Sequence, residues 1–525
     1  MRFRTKRLHL IFSTLSLVLL GCVGPAEANP VTKPNIILIL ADDLGWGDVA
    51  IFGHPYLRTP NIDALAREGA RFTQFYADSP ICSASRAAFM TGQYPARFRI
   101  HQHFADHESN VARGMPDWLD PQVLTVTRLF QNAGYVTGHF GKWHLGAGEG
   151  APGPGAYGID EHKTFESNGP QLGEPGWNRH RYAMGQSTRI IMDDAIAFLR
   201  ENKDKPFYLN IWSLVPHAPL DPTPEQVDVY WDIRPLADRQ SFGKWTREYY
   251  QRAVDLRKQM QIYDASVTDL DTQIGRLLET LTELGLNEKT LVIFSSDNGP
   301  EDYHVQGAAN AGVGSAGLFR GRKRSLYEGG VREPLVVRWP GHVPAGVTDR
   351  TSVLAGVDFL PTVAHLADVP LPAGTKLDGE DLSDVLLDRS RPRHAALFFE
   401  WLGSNVKGSD PAYWSPPLAV RYGNWKLLLD PDEKRFELYN VLRDPGEETN
   451  LASMHPDITA RLSAMAENWR ATLPATSART KLHERHAHVS EIWPSVLAAV
   501  KAGYPLFLSQ WLQHCSGWWS RNFRS

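Results

Sequence analysis

The run from Asn35 to Ala41 is apolar from Ile36 onward and stops on two aspartates, Asp42 and Asp43. No other feature so limits the folds open to this chain. A strand with apolar side chains at consecutive positions has no face to give to water, so it must be covered on both sides, as in a helix-flanked parallel sheet. Its carboxyl end is where open α/β sheets place their ligands. Thr59-Pro60 offers an N-cap and first-turn proline for a helix over 61–68, which Gly69 stops. Further strand-like runs lie at 135–140, 206–212, 290–296 and 335–339. Tyr263, Val267, Leu270, Ile274, Leu277, Leu281 and Leu284 alternate steps of four and three, which sets one apolar stripe along a crossover helix. This alternation predicts an α/β sandwich with a mostly parallel central sheet.

After about residue 390 the pattern changes to short runs at 395–401, 418–422, 425–429 and 436–439, with Gly423-Asn424 as a turn. These predict a small antiparallel sheet, followed by a helix over 456–473. The expected division is therefore an export signal over 1–28, a large α/β domain over 29–390, a sheet and helix subdomain over 391–474, and a tail over 475–525. The tail carries Trp493, Trp511, Trp518 and Trp519 but is interrupted by Lys501 and Pro505, so a packed helix is a better reading than a membrane span.

Residues 1–28 have a charged start (Arg2, Arg4, Lys6, Arg7), an apolar stretch over 8–20 and an Ala26-Glu27-Ala28 cleavage site, which implies periplasmic or secreted protein. Leu19-Leu20-Gly21-Cys22 also resembles a lipoprotein box, which would leave Cys22 lipidated; membrane contact is expected only in that case. Three cysteines (Cys22, Cys82, Cys515) are too few for a disulfide framework. If Cys22 leaves with the signal, Cys82 to Cys515 is the one pairing left. A net charge of −4 gives no global basic field, so no nucleic-acid partner is expected and any anion must be held locally.

Four groups of residues point to such local chemistry. Asp42-Asp43 and Asp297-Asn298-Gly299 each follow an apolar strand; neighbouring strands would bring carboxylate and amide oxygens together, the ligand set of a hard cation such as Ca²⁺. Either group alone is more often a turn or cap. Lys142 and His144 follow the 135–140 strand, His217 follows 206–212, and Lys323 precedes Tyr327-Glu328-Gly329-Gly330. A single Lys or His in a loop is ordinarily solvent-facing, but repeated placement after sheet strands argues for an anion site. Cys82 stands at the start of an apparent helix in Cys82-Ser83-Ala84-Ser85-Arg86. A free cysteine is ordinarily a small buried apolar residue, and only its context makes it reactive.

That segment resembles the signature of type I sulfatases, of the arylsulfatase and N-acetylgalactosamine-6-sulfatase kind. The resemblance runs from about Pro34 to Leu451 through DDLGWGD (42–48), TPNIDALAREG (59–69), GKWHLG (141–146), SSDNGP (295–300), YEGGVREP (327–334) and ELYNVLRDPGEETNLA (437–452). It implies an alkaline-phosphatase-like fold and hydrolysis of sulfate esters. Cys82 would be oxidised to formylglycine (3-oxoalanine) by a formylglycine-generating maturation enzyme, and Arg86 would steady its hydrate. Asp42, Asp43, Asp297 and Asn298 would ligate one Ca²⁺, with residue 82 beside it. Lys142, His217 and Lys323 would contact the sulfate and leaving group, and His144 would act as base on the hydrate.

Two positions depart from the family pattern. Thr91-Gly92-Gln93 stands where many relatives have Thr-Gly-Arg, leaving Arg97 as a substitute support, and Arg324 replaces the usual glycine after the lysine. The expected substrate is a sulfated glycan of the kind met in polysaccharide degradation, or a small sulfate ester, with aryl sulfates as artificial substrates. Selectivity is assigned to loops 101–110, 150–181 and 401–417. The competing readings are a phosphate or phosphonate monoester hydrolase of the same fold, and a non-catalytic binder of sulfated glycans if Cys82 stays a thiol.

Overall fold

The computed structural model describes residues 33–477 and 479, apart from 147–148, 166–186, 236, 239–240, 254, 303–308, 404–409, 431 and 433. The signal segment, Cys22, Cys515, the second half of the 150–181 loop (166–181) and the tryptophan-rich tail lie outside these residues.

Nine strands form the central sheet: β1 (Asn35–Asp42), β2 (Ala70–Tyr76), β3 (Val136–Lys142), β4 (Glu161–Phe165), β5 (Phe207–Pro216), β6 (Thr290–Ser296), β7 (Arg332–Arg338), β8 (Val347–Asp349) and β9 (Leu354–Ala355). They lie in the order β4-β3-β5-β1-β6-β7-β2-β8, with β9 on β2. β1 pairs in parallel with both β5 and β6, whereas β7 runs antiparallel to both its neighbours. The sheet is thus mostly parallel, as the apolar runs predict. β1 shows why: Ile36, Leu38 and Leu40 pack into one core and Ile37, Ile39 and Ala41 into the other. Burying each such side chain on both faces contributes about 1.5–3 kcal/mol.

Helices cover each face. The predicted stripe from Tyr263 to Leu281 is buried on the helix Leu256–Glu283, which packs with Ser187–Asn202 and Pro60–Glu68 on one side. Cys82–Thr91, Val126–Asn132 and Phe359–Leu366 cover the other. Thr59 stands at the N-cap of Pro60–Glu68 but does not cap it with its side chain. Its Oγ1 instead accepts from the Ala50 N–H (2.9 Å) and donates to Asp63 (3.1 Å), while Asp271 accepts from the Asn61 and Ile62 N–H groups at the start of that helix (3.1 and 2.8 Å).

A second sheet holds β10 (Leu397–Glu400), β11 (Leu418–Tyr422), β12 (Trp425–Asp430) and β13 (Arg435–Asn440), all antiparallel and in that order. Gly423 supplies the positive φ (59°) of the tight turn between β11 and β12. The helix Pro456–Ala471 covers this sheet with Leu462, Ala466 and Trp469. The sheet also grips the segment that leads into β7. Lys426 of β12 is fully buried, with Nζ 2.9 Å from Glu328 and 3.2 Å from Glu447, while the Tyr327 hydroxyl donates to Glu437 at 2.7 Å. Glu328 also accepts from the Tyr76 hydroxyl and from Arg332.

Removing one member of a buried charge cluster strands the rest. Lys426→Met is therefore expected to lower unfolding stability by about 3–5 kcal/mol, measured by denaturant titration. A change below about 1 kcal/mol would show that Glu328 and Glu447 do not depend on Lys426.

Candidate active site

The ends of β1 and β6 are stitched together by the residues that follow them. The Asp43 N–H donates to Asp297 Oδ1 (3.1 Å) and the Leu44 N–H to Ser296 Oγ (3.0 Å). Asp43 takes a left-handed φ of 66°, so β1 stops there. One ligand atom from each of Asp42, Asp43, Asp297 and Cys82 lies within 4.8 Å of the others, and all four residues are buried. Asn298 adds its amide, Nδ2 lying 2.8 Å from Asp43 Oδ1. Gly299 makes this approach feasible: its N–H donates to the Gly330 carbonyl, and a side chain there would meet the Gly329 oxygen at 2.1 Å.

Four cations come to this acidic centre from three other segments. Arg86 sends Nε and Nη2 to Asp297 Oδ2 (2.9 and 2.7 Å), lies 3.5 Å from Asp42, and stands over the Trp212 ring. Lys142, the last residue of β3, donates to Asp42 at 2.7 Å. Lys323 donates to Asp43 at 2.6 Å and lies 3.5 Å from Glu301, which also holds Arg324 through two bonds. Burial raises the pKa of the Asp42 carboxyl, but Lys142, His217, Arg86 and Lys323 together pull it well below the usual carboxylate range. Asp297 goes the other way, to about 7, because burial and the Asp42 and Asp43 charges outweigh Arg86.

Cys82 opens the helix Cys82–Thr91, whose ten residues are all buried. No side chain caps that N-terminus, so its first N–H groups and its dipole face the acidic and basic cluster. The Cys82 thiol lies 3.9 Å from Asp43, and burial pushes its pKa up to about 12 despite Lys142 and Lys323. It is a poor thiolate at neutral pH. His217 donates from Nδ1 to the Ala218 carbonyl (2.7 Å), which leaves Nε2 3.7 Å from Asp43. His144 has a left-handed φ of 54° and a buried Nδ1 without a hydrogen-bond partner. Burial, then Lys142, holds the His144 pKa well below 6.5.

All the residues singled out in the sequence thus occupy one end of the sheet. The two departures also have structural answers. Arg97 makes no hydrogen bond to the helix of Cys82 among the described residues; it forks onto Asp378, whose N–H bonds the Gly92 carbonyl (2.9 Å) at the end of that helix. Arg324 keeps a left-handed φ of 70°, as a glycine would, and its N–H holds the Pro80 carbonyl (2.9 Å) just before Cys82. Sequence reasoning missed Glu301, which shares its carboxylate between Lys323 and Arg324. Its signal was the position directly after Asp297-Asn298-Gly299-Pro300.

The donors fit a hard divalent cation. Three carboxylates and an amide converge, and the buried Asp42 Oδ1 and Asn298 Oδ1 each lack a hydrogen-bond partner. The cluster could therefore hold a metal ion.

Comparison with known proteins agrees with this geometry. The Sulfatase family profile matches residues 34–369, and a second, described as N-sulphoglucosamine sulphohydrolase, C-terminal, matches 314–471. Arylsulfatase A of Homo sapiens is 33% identical over 83% of this chain and 86% of its own. N-acetylgalactosamine-6-sulfatase of Canis lupus familiaris is 29% identical over 87% and 90%. Among solved structures, Ps i-CgsB in complex with k-i-k-neocarrahexaose superposes with a TM-score of 0.66 at 26% identity, covering 83% of this chain and 93% of that one. The chain belongs to the type I sulfatase family. It is a sulfuric ester hydrolase with the alkaline-phosphatase-like fold, as the sequence resemblance implies.

Binding to the folded state alone stabilises a protein by about 2.7 kcal/mol at 100 times Kd. Adding Ca²⁺ to chelator-treated protein is expected to raise its melting temperature, with most of the rise lost in Asp43→Asn. No rise with Ca²⁺, Mg²⁺ or Mn²⁺ would mean that the lysines and arginine already satisfy these carboxylates.

Proposed function

We propose that this protein hydrolyses sulfate esters of carbohydrates, with residue 82 as formylglycine, Ca²⁺ on Asp42, Asp43, Asp297 and Asn298, and inorganic sulfate as product. The observation that carries this reading is Cys82 at an uncapped helix N-terminus, within one cluster of three carboxylates and flanked by Lys142 and Lys323. When present, the aldehyde hydrate and the divalent ion would supply an oxygen nucleophile at residue 82 and charge neutralisation for the bound ester.

The chain's own residues do the rest. The N–H groups opening Cys82–Thr91 and the ammonium groups of Lys142 and Lys323 bind the anionic oxygens, each lysine already aimed by its aspartate. Arg86, locked between Asp297 and Asp42, holds the helix against the carboxylates and keeps residue 82 in place. His217 is oriented by the Ala218 carbonyl, which takes its Nδ1–H and turns Nε2 toward Asp43, so that it contacts the departing oxygen beside Lys323, whose ammonium group carries the proton. His144 is buried and neutral, with Nδ1 unpartnered, and is suited to accept the proton of a hydroxyl on residue 82.

Cys82 is 1% exposed, so a maturation enzyme must reach it before the chain closes. The export signal supports a periplasmic or secreted location, with lipid attachment at Cys22 as its alternative. No helix among the described residues is long and apolar enough to cross a membrane. Carbohydrate as the substrate class is supported by the oligosaccharide in the related Ps i-CgsB structure.

Peptide mass spectrometry of the mature protein is expected to show residue 82 with sulfur exchanged for oxygen and two hydrogens fewer. Cys82→Ala should lose at least about 10³-fold in kcat on an aryl sulfate. An intact thiol with full turnover, or faster cleavage of the matching phosphate ester, would overturn the proposal.

The pH dependence gives a separate check. A base with a depressed pKa stays neutral as pH falls until that lower value is reached. The acid limb of kcat is therefore expected below 6.5, the ordinary histidine value. A limb at or above 6.5 would remove His144 from this role.

A further inference from the structure

The backbone at position 324 suits glycine, and a left-handed φ costs an arginine about 1–2 kcal/mol. The loop's own geometry therefore does not call for this side chain. Its placement suggests another use. Glu301, only 5% exposed, forks onto Arg324 and at the same time approaches Lys323, so Arg324 stands one step outward from the lysine beside Asp43. The Arg324 side chain is 18% exposed against 2% for Lys323. Two of the five N–H donors of a guanidinium are taken by Glu301, which leaves three.

A second guanidinium lies nearby. Arg113 donates to the His103 carbonyl (2.9 Å) and has no carboxylate within ion-pair distance among the described residues. Burial, then Arg113, Lys323, Arg324 and Lys142, holds the His103 ring neutral, with a pKa of about 3. His103, its ring 6.3 Å from that of His144, is thus a neutral ring among these cations beside the site. A sugar with only the scissile ester would place hydroxyls opposite the N–H donors that Arg324 has left, whereas a second oxyanion would be paired by them.

Building on the sulfatase reading, we propose that Arg324 is a specificity-determining residue that pairs with a second oxyanion of the substrate, a sulfate or carboxylate beside the scissile ester. A hydrogen bond between charged groups supports discrimination of about tenfold or more. The test compares kcat and KM on three disaccharides sharing one scissile sulfate: one without another charge, one with a second sulfate, and one with a uronate carboxylate. Wild type is expected to favour a doubly charged probe, and whether sulfate or carboxylate gains more identifies the ligand. In Arg324→Gly, whose backbone suits this φ, the ratio of kcat/KM for doubly to singly charged probes should fall about tenfold, mainly through KM. Arg324→Lys should recover part of that ratio. An unchanged ratio with continued turnover would overturn the subsite alone. Failure of wild type on every sulfate ester would overturn the sulfatase reading on which it rests.

Discussion

The structure is organised around the burial of like charges. Asp42, Asp43, Asp297 and Glu301 are all at most 5% exposed, and two carboxylates 4 Å apart repel by about 4 kcal/mol at an effective dielectric near 20. Such a group persists only if cations arrive with it. Arg86, Lys142, Lys323 and Arg324 do so from a helix, a strand and a loop far apart in sequence. The strand order β3-β5-β1-β6 is what brings these segments to a common end.

The same neutralisation prepares the site for its chemistry. Cations that hold Asp42 ionised carry the N–H groups that, in the proposed reaction, would face the sulfate, and burial keeps His144 and His217 below their ordinary pKa. Asp43, His144 and Arg324 all adopt left-handed φ values without being glycine. Strain of that sort, about 1–3 kcal/mol at each residue, is tolerated where the surrounding structure overdetermines the backbone. The second sheet contributes to that rigidity through Lys426 and Glu328, which anchor the start of the segment whose glycines receive Gly299.

Much of this was legible because apolar periodicity marks elements directly. β1, β6 and the long helix Leu256–Glu283 are all recognisable from side-chain pattern, as are the hairpin strands around Gly423. β2 was not, since Ala70–Tyr76 mixes Arg71, Thr73 and Gln74 among its apolar residues and is half-exposed at two positions. The start of β7 was equally hidden. Arg332 and Glu333 read as loop residues, yet both are buried there. Nor does an apolar run show direction, so the reversal of β7 could be seen only from its partners.

What the chain carries locally is the chemistry: paired aspartates after a strand, a cysteine at a helix start, lysines and histidines after strands. Those are short-range patterns, set by neighbours in sequence. Which cation meets which carboxylate, that Glu301 is shared between Lys323 and Arg324, and that Arg97 works through Asp378 were decided by tertiary structure alone. Pairings across hundreds of residues depend on strand order and loop path, and no local pattern encodes those distances.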